Sequence, residues 1–198
     1  MDHYVITVSR QFGSLGRSIA QMIAHKLNIA YYDRDLIEQA AQILNADLSR
    51  LSPLDETIKL PFSKALFPLG LGSSSMHRKL FKVQENLISE AVSKNDCVIV
   101  GRCADYILRD YPRRYNVMIY APLETRITNS INELRIPEYE VSDYVKEIDK
   151  ARDSYHRFFT DDPLDTTKYR DLLIDSSTMS KEDIATTIIE AARKKLQF

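Results

Sequence analysis

No stretch of the chain stays apolar for the ~20 residues that a bilayer crossing requires, so no transmembrane helix is read from it. The opening residues MDHYVITVSR pass straight from a polar start into a short β-like run and lack the pattern of a signal peptide. There is no excess of either charge: 27 Lys and Arg face 28 Asp and Glu, for a net charge of -1. That balance argues against a nucleic-acid protein driven by phosphate neutralisation. Only two cysteines occur, Cys97 and Cys103, too few and too closely spaced for a disulfide framework or a zinc site, so a reducing cytoplasm is expected. Internal repeats and low-complexity tracts are also missing. What remains is a 198-residue chain, 44% hydrophobic, long enough to bury about 70% of its unfolded surface without a disulfide or a metal. A single domain over 1–198 is expected.

Hydrophobic periodicity predicts alternating strands and helices. Tyr4 to Val8 is β-like and is followed by a glycine-containing turn. A helix then carries Ile19, Met22, Ile23 and Leu27 on one face. Ile29 to Tyr32 reads as a second strand ending at Asp33, and Leu36, Ile37, Ala40, Ala41 and Leu44 mark another amphipathic helix. From 45 to 75 the pattern breaks at Pro53, Pro61, Pro68, Gly70 and Gly72; this is an insert, to be read as a loop, a short helix or a buried flap. Regular structure resumes with a helix over His77–Lys94, a fully apolar strand over Cys97–Val100 and another over Val117–Tyr120. Two polar helices are predicted over Leu123–Leu134 and Val141–His156, then a short strand over Leu172–Ile174. Ser180 with Asp183 three residues later opens a last helix, whose Arg193, Lys194 and Lys195 suit the negative pole of its dipole. Five strands separated by helices imply an α/β fold, a five-stranded parallel sheet with helices on both faces. Ligands in such folds bind beyond the carboxyl ends of the strands, which here carry residues 9–18, Asp33, Gly101-Arg102 and Ala121-Pro122.

The turn after the first strand departs from the phosphate-binding pattern G-x-x-x-x-G-K-[ST], because the lysine is missing. Backbone amides of Gly13, Ser14, Leu15, Gly16, Arg17 and Ser18 at a helix N-terminus can hold an anion without it, with Arg10 and Arg17 as nearby cations. The alternative is a surface turn whose glycines only join strand to helix.

The stretches ITVSRQFGSLGRSIAQMIAHKLNIAYYD, CVIVGRCADYIL and RDSYHRFF resemble the cytidylate-kinase-like family of nucleoside monophosphate kinase-type P-loop proteins. The resemblance covers nearly the whole chain and is weakest over 45–75, where an acceptor-side insert would lie. It implies a P-loop kinase fold with a helical lid over 129–159, and phosphoryl transfer from ATP or another nucleoside triphosphate, with Mg2+, to a small acceptor such as CMP. In true cytidylate kinases the loop resembles GPSGSGKGT. Aligned without gaps on Asp33, its first glycine becomes Arg10, its lysine becomes Gly16 and its threonine becomes Ser18, the residue that would reach the Mg2+; the alternative register slides Arg17 onto the lysine at the cost of a gap. The paired change suggests that the positive charge has moved. Arginine favours planar bidentate contacts, so the geometry would differ.

The resemblance assigns further roles. Gly101-Arg102 matches the G-R of a GRD segment that holds the acceptor phosphate, with Cys103 in place of its aspartate; Asp33, Asp105 and Arg78, with Lys79 and Gln84 beside it, complete the acceptor side. Arg126, Arg152 and Arg157 lie where lid arginines would neutralise transferred charge, Arg152 matching best. Arg10, Arg17 and Arg152 are the catalytic candidates. The family's later acidic and basic pair becomes His156 and Phe159, and His156 reads as a helix-surface residue. Arg113-Arg114 reads as part of a solvated loop and not as a nucleic-acid contact. A degenerate kinase that binds a nucleotide or phosphate without transferring it is the reading from another class.

Overall fold

The computed structural model describes residues 3–33 and 74–198. β1 (Val5–Arg10), β2 (Ala30–Tyr32), β3 (Cys97–Val100), β4 (Arg114–Tyr120) and β5 (Leu172–Asp175) form one parallel sheet in the order β2-β3-β1-β4-β5. Placing β1 between β3 and β4 puts its carboxyl end, and the turn that follows, at the centre of the sheet edge where ligands bind.

Six helices are described: α1 (Gly16–Leu27), α2 (Ser74–Lys94), α3 (Ala104–Ile107), α4 (Leu123–Asn132), α5 (Glu138–Thr160) and α6 (Lys181–Leu196). Alternation along the strands sorts the core into two layers. Ile6, Val8, Val98, Val100, Val117 and Ile119 meet Ile19 and Ile23 of α1 and Ile184 and Ile188 of α6 on one face. Val5, Cys97 and Ile99 meet Ile88, Val92, Ala104 and Leu108 on the other. Each fully buried aliphatic side chain contributes roughly 1.5–3 kcal/mol relative to exposure, so both layers are firm supports for the loops above them. α6 begins as the sequence predicts, with the Ser180 hydroxyl accepting from the Asp183 amide at 3.1 Å.

Several boundaries differ from the sequence reading. β1 runs on to Arg10, β4 starts at Arg114, and α5 extends from Glu138 to Thr160. Arg114 therefore belongs to a strand, its guanidinium donating to the Tyr111 carbonyl, where a loop was expected. The helix predicted around Leu36–Leu44, and the insert apart from Ser74 and Ser75 at the start of α2, lie outside the described residues.

The polar composition of α4 and α5 conceals a third apolar cluster: Phe12 from the β1–α1 turn packs with Ile136, Val141, Val145 and Ile148. Positions 141, 145 and 148 repeat at helical spacing, and the same stripe continues into Arg152, His156 and Phe159. Packing of one half of α5 thereby aims the other half at the site.

Candidate functional site

The turn over residues 11–15 is held open by its surroundings. Each carbonyl from Arg10 to Ser14 accepts a bond from a side chain: Arg10 from Arg152 (3.4 Å), Gln11 from the Ser14 hydroxyl (2.9 Å), Phe12 from Arg126 (3.2 Å), Gly13 from Asn129 (2.9 Å) and Ser14 from Ser176 (2.8 Å). Leu15 adopts a left-handed conformation with φ 60° at the helix start, where the resembled loop has a glycine. Gly13 is required on steric grounds, since a Cβ would collide with the Arg126 carbonyl and lie 2.7 Å from Ser130 Oγ. With these carbonyls engaged by side chains, the amides of Gly16, Arg17 and Ser18 open α1 without intrahelical acceptors, and the helix dipole adds about half a positive charge there.

Arg10 supplies the cation. Its stem crosses α1 at Gly16, where a Cβ would lie 2.7 Å from Arg10 Cβ and 3.2 Å from Cγ. Its guanidinium covers Gly101, where a Cβ would run into Nη1, and its Nη2 stands 3.8 Å from Asp33 Oδ1. The two glycines thus make room for one arginine that spans the carboxyl ends of β1, β2 and β3. Arg17 approaches the same carboxylate, Nε to Oδ2 at 2.8 Å, and Tyr31 donates its hydroxyl to Oδ2 at 3.3 Å. Burial, and then the Asp33 charge, push the Tyr31 phenol up to about 12, so it stays a donor.

β3 ends in a turn of unusual backbone. Gly101, Arg102 and Cys103 all have positive φ, at 72°, 59° and 54°. Each left-handed non-glycine residue costs roughly 1–2 kcal/mol, which the surrounding structure must offset. The turn is closed by the Ala104 amide on the Gly101 carbonyl (3.1 Å) and the Ile107 amide on that of Cys103 (2.8 Å). Burial first, then the Asp105 charge, raise the Cys103 thiol well above its usual range, so it is no nucleophile.

The structure brings Arg10, Gly13 to Ser18, Asp33 and Arg152 together at one end of the sheet. Arg152 lies over the Phe12 ring, 5.4 Å from its centroid. Arg102, half-buried, opposes the rise that burial imposes on the Tyr155 phenol, which donates at 2.8 Å to the buried amide of Gln84 on α2. Arg78 is exposed on α2, and the Lys79 side chain lies outside the described residues.

Three residues fall elsewhere than expected. Arg126 is buried, its guanidinium committed to the Asp149 carboxylate and to the carbonyls of Ala121 and Phe12. Asp149 also accepts the Phe12 amide at 2.7 Å, so this pair shapes the turn from behind. Asp105 is enclosed in an ion cluster with His156 and Arg170 and is not open to a ligand. His156, expected on the helix surface, is buried in that cluster because it shares a stripe with Ile148 and Arg152. Arg157, by contrast, pairs with Asp153 on an exposed face of α5 at 2.6 Å. Asn129, Asp149 and Ser176 were not singled out in the sequence; their partners in the turn, Gly13, Phe12 and Ser14, lie more than 100 residues away along the chain, and no local pattern marks such contacts.

The arrangement is a helix N-terminus at the centre of a parallel sheet edge, flanked by several arginines in a chain of net charge -1. The sequence profile of the cytidylate kinase-like family matches residues 5–178, which include every element of this site. The chain belongs to that family. No curated protein sequence matches it. Among solved structures, an uncharacterized protein from Eubacterium ventriosum is similar with a TM-score of 0.73 and 21% identity over 96% of this chain and 98% of that one. A gluconokinase from Sinorhizobium meliloti has a TM-score of 0.59 and 11% identity over 98% and 94% of the two chains. A shikimate kinase from Acinetobacter baumannii, in complex with shikimate, has a TM-score of 0.54 and 14% identity over 95% and 92%. At these identities the likeness shows the fold, a P-loop kinase architecture. No helix among the described residues is long and apolar enough to cross a membrane.

Proposed function

We propose that this cytidylate kinase-like protein transfers the γ-phosphoryl group of a nucleoside triphosphate, ATP foremost, to a small phosphorylated or hydroxylated acceptor. A nucleoside monophosphate such as CMP is the acceptor that family membership suggests. The observation that carries the reading is the turn itself: every carbonyl from Arg10 to Ser14 is engaged by a side chain, and an arginine is laid over Gly16, where the lysine of true cytidylate kinases would stand.

In this reading the amides of Gly13 to Ser18 hold the donor phosphates. Arg10 and Arg17 balance their charge, in competition with Asp33. Arg102 and Asp33, with Arg78, receive the acceptor, and Arg152 meets the charge that develops during transfer. The bond between the γ-phosphorus and the bridging oxygen breaks as one forms to the acceptor oxygen, and the nucleoside diphosphate leaves; a phosphate acceptor exchanges no proton, and a hydroxyl acceptor releases its proton to solvent. The Ser18 hydroxyl in the first turn of α1 is a hard oxygen donor suited to Mg2+, which binds mainly through phosphate oxygens. When bound there, Mg2+ would supply positive charge that offsets the charge of the donor phosphates. Segment 129–159, whose Ile136, Val141, Val145 and Ile148 are seated on Phe12, acts as the lid over bound nucleotide. Buried free thiols at Cys97 and Cys103 suit a reducing cytoplasm, where ATP is at hand.

A panel of nucleotides with Mg2+ tests the reading. A ligand at about 100 times its Kd stabilises by about 2.7 kcal/mol, which for a chain of this size raises Tm by about 5–11 °C. A shift with ATP and turnover with one acceptor are expected, together with increased hydrogen-exchange protection across 129–159. Binding without turnover on any acceptor would make the protein a nucleotide-binding regulator, a reading favoured by the engagement of both Arg10 and Arg17 with Asp33. No shift with any nucleotide would refute both.

A further inference from the structure

We propose that the buried Asp105–His156–Arg170 cluster is the positioning element that holds α5, and with it Arg152 and Tyr155, in register with the Gly101–Cys103 turn. The coupling depends on a proton carried by His156. The kinetic part of this inference rests on the phosphotransfer reading; the structural part does not.

The three side chains come from α3, from α5 and from the connection before β5, and they are 1%, 2% and 0% exposed. Asp105 Oδ2 accepts from His156 Nε2 at 3.1 Å and from Arg170 Nη1 at 2.5 Å, while Oδ1 has no hydrogen-bond partner. His156 Nδ1 faces the Asp162 carbonyl at 2.8 Å, with Thr160 Oγ1 3.0 Å away. The Asp162 carbonyl and the Asp105 carboxylate only accept, so donating to both at once requires two N–H groups, the imidazolium form. A neutral ring keeps its Nε2 donor to Asp105 and can accept at Nδ1 from the Thr160 hydroxyl, but it loses the bond to the Asp162 carbonyl and the charge that strengthens the bond to Asp105. Burial opposes the charged ring, but the hydrogen bond and charge of Asp105, with the Asp162 carbonyl, outweigh it and raise His156 above 6.5.

The charged surroundings are few and identifiable. α3 brings Asp105, preceded by Arg102 and the neutral Cys103 thiol. α5 brings His156 and Thr160. The connection brings Arg170, whose Nη2 donates to the Leu164 carbonyl at 3.0 Å, and the Asp162 carboxylate, which is turned outward to Lys168 at 3.1 Å. β4 contributes the neutral Asn116, whose side chain donates to the Tyr169 carbonyl at 2.8 Å. A buried ionic cluster of this kind gives little net stability compared with apolar packing, so its effect is best sought in position.

Position is what the site needs here. Asp105 lies two residues beyond the left-handed turn that carries Arg102, and His156 lies four residues, one helical turn, beyond Arg152 and next to Tyr155. One carboxylate therefore ties the strained turn to the helix whose arginine reaches the Arg10 carbonyl. His156 touches no ligand group; it acts through Arg152 and Tyr155.

The test follows the four histidines of the wild-type protein by NMR against pH, with His156 assigned from His156→Gln, alongside hydrogen-exchange protection factors for 101–107 and 149–157. Protection in both segments should fall about tenfold as His156 loses its proton, the scale of one lost charge-assisted hydrogen bond. In His156→Gln, whose amide donates to Asp105 at any pH, the fall should vanish. Turnover in the wild type should show the same alkaline limb in kcat with the donor KM unchanged, and His156→Gln should lack that limb. Protection that stays constant through the titration, a ring that does not titrate below about pH 10, or an identical fall in His156→Gln would overturn the inference. If His156→Gln fails to fold, the wild-type exchange profile decides alone, with the ring assigned through its contact to Asp162. Lack of turnover with any acceptor would remove the phosphotransfer reading and leave the exchange experiment to decide this one.

Discussion

The relation between Arg10 and Gly16 can be tested by reversing it. Gly16→Lys alone places a Cβ 2.7 Å from Arg10 Cβ and 3.2 Å from Cγ, atoms of the stem that cannot swing away as the tip of a long side chain can. Overpacking of this kind costs about 1–3 kcal/mol, partly offset by up to about 1 kcal/mol because glycine is a poor helix former. Arg10→Gly alone removes the cation above Gly101 and the partner of Asp33 at 3.8 Å, and adds about 0.5–1 kcal/mol of backbone entropy cost at the end of β1. In the double variant Arg10→Gly/Gly16→Lys the clash is gone and the loop regains the family's glycine and lysine. Urea denaturation of the four proteins should therefore give a favourable coupling of about 1–3 kcal/mol between the two positions, worth about 2–4 °C in Tm for each kcal/mol. Turnover should fall by about 100- to 1000-fold in Arg10→Gly, the usual loss when a preorganised charge is removed from a transition state, and should recover at least about tenfold in the double variant. Additive effects on stability, together with no recovery of turnover, would refute the reasoning, because they would mean that Arg10 and Gly16 do not share one space and that no charge was relocated.

Four further outcomes are expected. Gly101→Ala sets a Cβ against the Arg10 guanidinium at a φ of 72°, so it should cost about 1–2 kcal/mol in denaturation and lower turnover in the wild-type background but not in Arg10→Gly. Arg126→Met leaves Asp149 half-buried without its ion partner and should destabilise by about 3–5 kcal/mol, with part of the loss recovered by adding Asp149→Leu, which removes the uncompensated charge but also the acceptor of the Phe12 amide. Stability should pass through a plateau in pH. Burial works against the Asp105 charge, but the bonds to His156 and Arg170 hold that carboxyl below 3.8, so its contribution is present above that value and lost as pH falls through its lowered pKa. His156, raised above 6.5, contributes fully below 6.5 and loses its contribution as pH rises through the raised value, and chemical denaturation from acid to alkaline pH should show both edges. Arg152→Ala should lower kcat and kcat/KM together with little change in nucleotide affinity; a lowered Tm with turnover per folded molecule intact would show a structural ion-pair residue instead.

Much of this architecture can be read from the chain, because it depends on neighbours a few residues apart. The apolar run Cys97–Val100 has one reading as a strand covered on both faces. Ser180 and Asp183 announce the start of α6. The junction at residues 9–18 marks a strand, a turn and a helix N-terminus, and with them the place of the candidate site. The parallel direction of the strands follows from the crossovers between them, whereas their order across the sheet comes from the tertiary structure. Tertiary structure decided which polar groups are buried and which face the ligand end. Arg126 and Arg152 lie on helices of similar polarity, yet the first is committed to Asp149 and the Phe12 carbonyl while the second reaches the Arg10 carbonyl at the site. Asp105 and His156 are 51 residues apart, and His156 is buried only because Val141, Val145 and Ile148 seat the same stripe of α5 against Phe12. Hydrophobic periodicity is a property of a short segment, whereas an ion pair between distant residues depends on the final placement of two helices to within an ångström or so. That placement is set by the packing of the whole core, which no local stretch of sequence records.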